Sequence, residues 1–403
     1  MASSNSQPRA IDSNQVASSI GEGVRRVRSV DIFSKRRSSW LIDALLFAVF
    51  MAEAVSLPGP INIPAPEVAM IVLIALSVFR APRIQNIRMT GYFLGLSLLV
   101  IFLFVESEVN EVEWTRRLVR IMLLGIFVWS IANGRVDVRS GLFGLLLALV
   151  VNIPLYYLGI APDSYAGFLT GYLGDKNVAG LFYALIPILL LAFVNVNWQR
   201  WLLIVFALGA TFLTGSRTSL GAITCAVLWL LFAGKLGLFL RVLFALGLTT
   251  LLNYVESNYA QSWIFEDRTG TDALRSRIDA AALEKVNEIP WYGNGLGTAV
   301  VQLEDRFFYF HNSYWGLIVE GGWAFVTPVL AVFIWVGLNP LRGIHPPQYV
   351  VAVEAAVIVL LTCATRLGEV FITVPAAIVL GCAFAAQTLE RSRGSKVQRE
   401  MKL

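Results

Sequence analysis

The sequence predicts an all-α, polytopic membrane protein with about twelve transmembrane helices and one large outward-facing loop containing short helices. Three observations predict it. The composition is too apolar for a solvated surface: 57% of the 403 residues are hydrophobic, 15% are charged and the mean hydropathy is +0.67, whereas a soluble domain carries roughly 25% charged residues. The apolar residues form continuous runs, where barrel strands would alternate over about ten residues. Basic residues mark alternate turns between the runs, as the positive-inside rule requires of a helical membrane protein.

Residues 1–39, rich in Ser, Asn, Gln and Arg, have little to bury and are expected to form a disordered tail. With no apolar core, this stretch does not read as a cleavable signal peptide. Nine apolar runs follow within 40–252, at 40–57, 66–79, 91–105, 118–132, 141–160, 178–194, 201–214, 219–233 and 236–252. Residues 253–311 form the large loop; runs at 313–337, 349–365 and 370–388 complete the set within 312–389, and 390–403 is a second tail. Several runs are short for a core of about 30 Å. An even number of spans puts both termini on one side. Arg9, Arg25, Arg26, Arg28, Lys35, Arg36, Arg37, Arg80, Arg83, Arg88, Arg135, Arg139, Arg200, Lys235, Arg342 and the basic residues after Arg391 all fall there. That side is the cytoplasm, and the expected location is the cell (inner) membrane.

The pI near 9.1 is therefore explained by orientation and gives no reason to expect a nucleic-acid partner. The three cysteines, Cys225, Cys363 and Cys382, lie in apolar runs, so neither a disulfide framework nor a thiolate metal site is implied. A histidine metal site is not indicated either, because His311 and His345, the two histidines, fall on opposite sides.

The loop at 253–311 faces outward, away from ATP and nucleotide sugars, so an enzyme working there needs a donor that is already activated and membrane-borne. Its residues Thr271-Asp272 make a good helix start, and Leu274, Ile278, Ala282 and Val286 follow at helical spacing, ending before Pro290. This reads as an amphipathic helix on the outer leaflet. Arg275 and Arg277 lie about 200° apart on it, so one is free to pair with Asp279 while the other faces a site. The glycines at 293, 295 and 297 follow no strand and open no helix with a trailing acid, which excludes a dinucleotide fingerprint; they allow close turns instead.

Orientation leaves several outer cations unexplained: Arg116, Arg117, Arg120, Lys176, Arg217 and Arg366, joined by Arg268, Arg275, Arg277, Lys285 and Arg306 of the loop. Snorkelling and local pairing, Arg366 with Glu369 or Arg116 with Glu113, is one reading. Arg217 fits it poorly, since Thr214-Gly215-Ser216-Arg217-Thr218-Ser219 has hydroxyls and a glycine but no acid. Guanidinium forks among hydroxyl and backbone donors suit a phosphate or diphosphate. Lys176, in Gly174-Asp175-Lys176-Asn177, either pairs with Asp175 beside a helix cap or helps hold an anion at a helix N-terminus. His311 precedes Asn312-Ser313, a helix cap; it is an interfacial hydrogen-bonding residue or a general base. Glu320 is a carboxylate inside an apolar run, a functional candidate by that position.

Taken together, these segments resemble the O-antigen ligase and polysaccharide polymerase superfamily of bacterial membrane glycosyltransferases. The resemblance is carried by Gly174-Asp175-Lys176-Asn177, Thr214-Gly215-Ser216-Arg217-Thr218, Arg275-Ser276-Arg277, Pro290-Trp291-Tyr292-Gly293-Asn294-Gly295-Leu296-Gly297 and His311-Asn312-Ser313-Tyr314 leading to Glu320-Gly321-Gly322, across roughly residues 90–385. It implies transfer of a glycan from undecaprenyl diphosphate to a hydroxyl of another glycan, a lipid A core or a protein, without metal, nucleotide or other cofactor. Arg217 with Arg275 or Arg277 or both would hold the diphosphate, joined on the same face by Lys176 and Arg366, and His311 would position or deprotonate the acceptor. Gly321-Gly322-Trp323 departs from the family's small-residue run, and the role of Glu320, and with it Asn312, stays open. The alternative reading is a multi-spanning transporter of a small anion or lipid-linked glycan, which would start from intramembrane Asp43, Glu53 and Glu354; the absence of an internal repeat speaks against it.

Overall fold

A computed structural model describes Phe33 and residues 40–57, 62–84, 87–259 and 269–400, with side chains except at 251–259, 269–272 and 393–400. Most of the tail expected at 1–39 lies outside the described residues, as does Arg268 of the loop. Phe33 is buried, its ring stacked 4.5 Å from that of Tyr349.

The described chain is helical, with one two-stranded sheet. Its helices are α1 (Leu41–Val49), α2 (Ala65–Val78), α3 (Thr90–Val109), α4 (Thr115–Ala132), α5 (Val138–Tyr157), α6 (Lys176–Leu190), α7 (Asn197–Leu213), α8 (Arg217–Phe232), α9 (Leu238–Tyr259), α10 (Thr269–Glu288), α11 (Ser313–Val332), α12 (Gln348–Cys363) and α13 (Val374–Glu400). The sheet is a hairpin, β1 (Val300–Leu303) paired antiparallel with β2 (Arg306–Tyr309).

Each of the twelve apolar runs contains a helix, and α10 is the additional one in the loop. Among the described residues, four helical segments are long and apolar enough to cross a membrane: Thr90–Val109, Val138–Tyr157, Arg217–Lys235 and Ser313–Leu338. That is fewer than the twelve the sequence predicts. A continuous apolar run does not guarantee a continuous helix: the first run yields only the nine residues of α1 before turns begin at Phe50, about 14 Å of helix against a core of about 30 Å. Other runs are apolar but hold short helices inside the bundle. All of Ala179–Leu190 in α6 is buried, as is nearly all of α12. Large exposed side chains, by contrast, are apolar along α3, α5 and α7, including Leu94, Ile101, Leu147 and Val205. An apolar surface around helices of this length is that of a membrane protein.

At the basic end, arginines close off helix ends. Arg135 donates from Nη1 to the carbonyls of Ser77 at 3.0 Å, Val78 at 3.3 Å and Arg80 at 2.9 Å, past the C-terminus of α2. Arg200 does the same for Leu191 and Val194 after α6. Carbonyls at and beyond a helix C-terminus lack the usual amide partners of the helix interior, and a cation there also meets the negative end of the helix dipole. Two of the intramembrane acids prove to be tied to the same basic loops. Asp43 accepts from Arg80 at 2.9 Å and from the amide of Asp137 at 2.7 Å. Glu354 pairs with Arg342, whose Nη2 lies 2.8 Å from it, and accepts from Trp229 Nε1 at 3.0 Å.

One expectation for the loop changes, and the chain's end gains helix. The charged residues after Ala386 continue α13 to Glu400; they are mostly good helix formers, and Glu390 accepts from Asn339 Nδ2 at 2.9 Å. The amphipathic α10 lays its stripe on protein instead of lipid: Ile278 and Ala282 are buried against Val301, Phe310 and Val319, with Val286 packed beside them. Lys285 fastens it by donating to the carbonyls of Thr298 at 2.8 Å and Val300 at 3.0 Å, and burial draws the pKa of this ammonium down.

Candidate functional site

Three helix N-termini meet at the loop-bearing end, each capped as the local sequence dictates. Asp175 caps α6, its Oδ1 accepting the amides of Asn177 at 2.7 Å and Val178 at 3.1 Å. Ser216 caps α8, its hydroxyl accepting from the amide of Ser219 at 3.4 Å. Asn312 caps α11, its Oδ1 accepting the amides of Tyr314 at 2.9 Å and Trp315 at 3.3 Å. These caps put Lys176 and Arg217 in the first turns of their helices and His311 one residue before its cap.

The termini are held against one another. Ser216 Oγ donates to Asn177 Oδ1 at 3.3 Å, joining α8 to α6. Gly180 makes this approach possible, because a Cβ there would lie 2.7 Å from that of Ser216. Ser313 joins α11 to the α12–α13 turn, its amide donating to Ala364 at 2.9 Å and its hydroxyl to Leu367 at 2.5 Å. Arg366 thereby comes to the same end, and its guanidinium pairs with Asp279 of α10 at 3.1 Å.

His311 is half-buried among these groups. Burial pushes its pKa below the usual histidine value of 6.5, Arg275 and Arg366 push the same way, and Asp279 and Asp175 oppose them. The imidazole is therefore neutral at pH 7 and able to take a proton. Asp175, besides capping α6, accepts from Tyr165 OH at 2.5 Å, a contact that together with burial pushes the phenol up to about 12. Lys176 Nζ sits over the rings of Tyr165 and Phe168, 5.4 and 5.7 Å from their centroids. The structure thus brings together His311, Arg275, Arg366 and Asp175-Lys176, with Asn312 as a cap, while Arg217 begins the helix bound to Asn177.

Other expectations do not hold. Arg277 points away: it pairs with Glu304 at 3.0 Å on the surface, with side chains 57% and 77% exposed. Asp279, on a different element, pairs with Arg366. Glu369 meets Arg117 at 3.1 Å and Arg120 at 3.6 Å, and Glu113 accepts the amide of Thr115 at 3.2 Å. Tyr165 was not singled out from sequence. The only local hint was its turn, where Asp163 accepts the amides of Tyr165 at 3.2 Å and Gly167 at 3.2 Å, an Asp-x-Tyr-x-Gly pattern that marks a turn but no chemistry.

Glu320 lies apart from this cluster, in a break in α11. Gly321 and Gly322 leave helical geometry, with Gly322 at φ 60° and ψ −158°. The glycine segment of the loop fills the break. The amide of Asn294 donates to Val319 at 2.9 Å, that of Gly295 to Glu320 at 3.0 Å, and the carbonyl of Trp291 accepts from Trp323 at 2.8 Å. Backbone released by a helix break at membrane depth must find partners inside the protein, and this loop supplies them. Gly297 donates its amide to Glu320 Oε1 at 3.0 Å, while Arg117 Nε holds Oε2 at 2.8 Å. A cavity of about 240 Å³ opens beside this pair.

Compared with protein-family models, the chain matches none, and compared with curated proteins it again finds no match.

Proposed function

We propose that this protein is a membrane glycosyltransferase that moves a glycan from an undecaprenyl-diphosphate carrier to an acceptor hydroxyl, as an O-antigen ligase or a polysaccharide polymerase does. The observation that carries the reading is that half-buried His311 lies within electrostatic reach of Arg275 and Arg366 from two different elements, with Asp279 and Asp175 opposing them. A neutral imidazole within the field of guanidiniums suits a reaction that removes a proton from an alcohol while a diphosphate leaving group gains negative charge. The acceptor oxygen forms a bond to the anomeric carbon, and the bond from that carbon to the diphosphate oxygen breaks. The electron pair leaves on the diphosphate, and the hydroxyl proton passes to His311. Arg275 and Arg366, with Lys176 and Arg217 at the starts of α6 and α8, balance the charge left behind. The N-terminal ends of α6, α8 and α11 add the positive poles of three helix dipoles.

The reading places this end on the outer face of the cell (inner) membrane, with both termini in the cytoplasm and the shorter helices completing the crossing within the bundle. The partners it names are the lipid-linked donor and a glycan or lipid A-core acceptor. The transporter alternative loses two of its starting points, since Asp43 and Glu354 are neutralised by Arg80 and Arg342 within the protein. Deleting the gene in its host and following lipid-linked glycans tests the proposal. Undecaprenyl-diphosphate glycan is expected to accumulate as the finished surface polymer is lost, and an unchanged profile refutes the enzyme.

A further inference from the structure

The cavity of about 240 Å³ in the broken part of α11 is not used by the reaction described above. It is lined by Arg117, Glu320 and Glu369, by Tyr309 and Phe371, and by Ser313, two residues from His311. Its floor is a fixed polar network. Arg117 bridges Glu320 at 2.8 Å and Glu369 at 3.1 Å, Arg120 reaches Glu369 at 3.6 Å and Glu67 at 3.5 Å, and Glu53 lies within electrostatic reach of Arg120. On the cavity wall itself two carboxylates, Glu320 and Glu369, face one guanidinium, Arg117, so the cavity offers no net positive charge to a diphosphate.

What it offers instead is hydroxyl recognition. Each oxygen of Glu320 accepts one hydrogen bond and Oε1 of Glu369 accepts one from Arg117, with Arg120 3.6 Å from its Oε2, whereas a carboxylate oxygen has room for about two. Glu369 and Arg117 remain 32% and 26% exposed, so the capacity of Glu369 is open to a ligand, while Glu320, 2% exposed, meets it only at the cavity wall. Tyr309 and Phe371 supply ring surface beside the polar floor, the combination that takes a molecule with both C–H faces and hydroxyl edges.

We propose that this cavity binds one neutral pyranose ring of a glycan, held by Glu320, Glu369 and Arg117 against the aromatic wall. This deepens the glycosyltransferase reading, on which it rests for the origin of the sugar. The cavity adjoins His311 through Ser313 but shares none of the cations placed around the diphosphate, so the ring belongs to the acceptor.

The test uses the whole protein in phospholipid nanodiscs and saturation-transfer NMR with the methyl glycosides of glucose, galactose, mannose and N-acetylglucosamine. At least one glycoside is expected to receive saturation from wild type and from His311→Ala. The response should be roughly tenfold weaker in Glu369→Gln, which removes a charged hydrogen-bond acceptor. Ala299→Phe, which fills the cavity without touching its charges, is a second variant and should also lose the signal. No response from any glycoside, or an unchanged response in both variants, overturns the site. Loss of glycan transfer in the host assay bears on the proposed reaction alone, because saturation transfer needs no turnover. Where transfer is measured, Glu369→Gln is expected to raise KM for the acceptor; a raised KM for the lipid-linked donor instead overturns the assignment to the acceptor.

Discussion

Gly322 and Trp291 meet backbone to backbone: a Cβ on the glycine would run into the tryptophan's carbonyl, the group that accepts the amide of Trp323 at 2.8 Å. At φ 60° and ψ −158° the glycine also holds a conformation open to almost no other residue. The loop before α11 is thus stitched into the middle of that helix, and the stitch depends on the absence of a side chain.

Gly322→Ala is therefore expected to destabilise the protein by at least about 1–3 kcal/mol. Thermal unfolding in nanodiscs reads this directly. Gly293→Ala should behave similarly, because its Cβ would lie 2.6 Å from Gly321 Cα. A melting temperature unchanged in both variants would mean the loop does not enter the helix break.

The two arginines of α10 should separate cleanly. Arg277 pairs with Glu304 at the surface, where an ion pair contributes about 0–1 kcal/mol. Arg277→Ala should leave glycan transfer and folding near wild type, whereas Arg275→Ala, beside His311, should abolish transfer with the protein still inserted. Equal loss in both would return Arg277 to the site.

His311 sets an expected pH profile. Burial and Arg275 lower its pKa in the folded protein, against Asp279 and Asp175, so it is neutral above that value and protonated below it. Transfer should stay level through neutral pH and fall on the acid side, with its midpoint below 6.5. The folded state binds the proton less readily than the unfolded chain, so any stability contribution is present above the unfolded value and is lost as pH falls from there through the lower folded value. His311→Ala should remove transfer; an acid limb centred above 6.5, or full activity in the variant, contradicts the role.

Glu354 and Arg342 test whether the intramembrane acids are structural. Glu354→Gln leaves a buried guanidinium without its counter-ion, a change expected to cost about 3–5 kcal/mol. The double variant Arg342→Met, Glu354→Leu should recover most of that loss, because it removes both charges. Limited proteolysis and thermal unfolding of the three proteins make the comparison. No recovery would assign the pair a task beyond holding the fold.

The helices were legible in the sequence because their causes are local. Runs of apolar residues, capping by Asp175, Ser216 and Asn312, and the spacing of Ile278, Ala282 and Val286 each act within a few residues. The hairpin was less visible: its turn places Glu304 at φ 56°, without the Asn-Gly or Asp-Gly signal such turns usually carry. How far each helix extends was not readable either, since an apolar run continues through turns such as those after α1.

The sequence by itself determined an apolar, helical chain, the turns in which its unexplained cations gather, and a glycine segment built for close turns. Only the tertiary structure decided which charges meet. Arg366 pairs with Asp279, 87 positions away, and Arg117 joins Glu320 and Glu369 across 203 and 252 positions. The break in α11 and the loop that fills it belong to the same class of fact. Ion pairs and backbone seams between distant segments depend on how helices pack, and no signal confined to neighbouring residues encodes that.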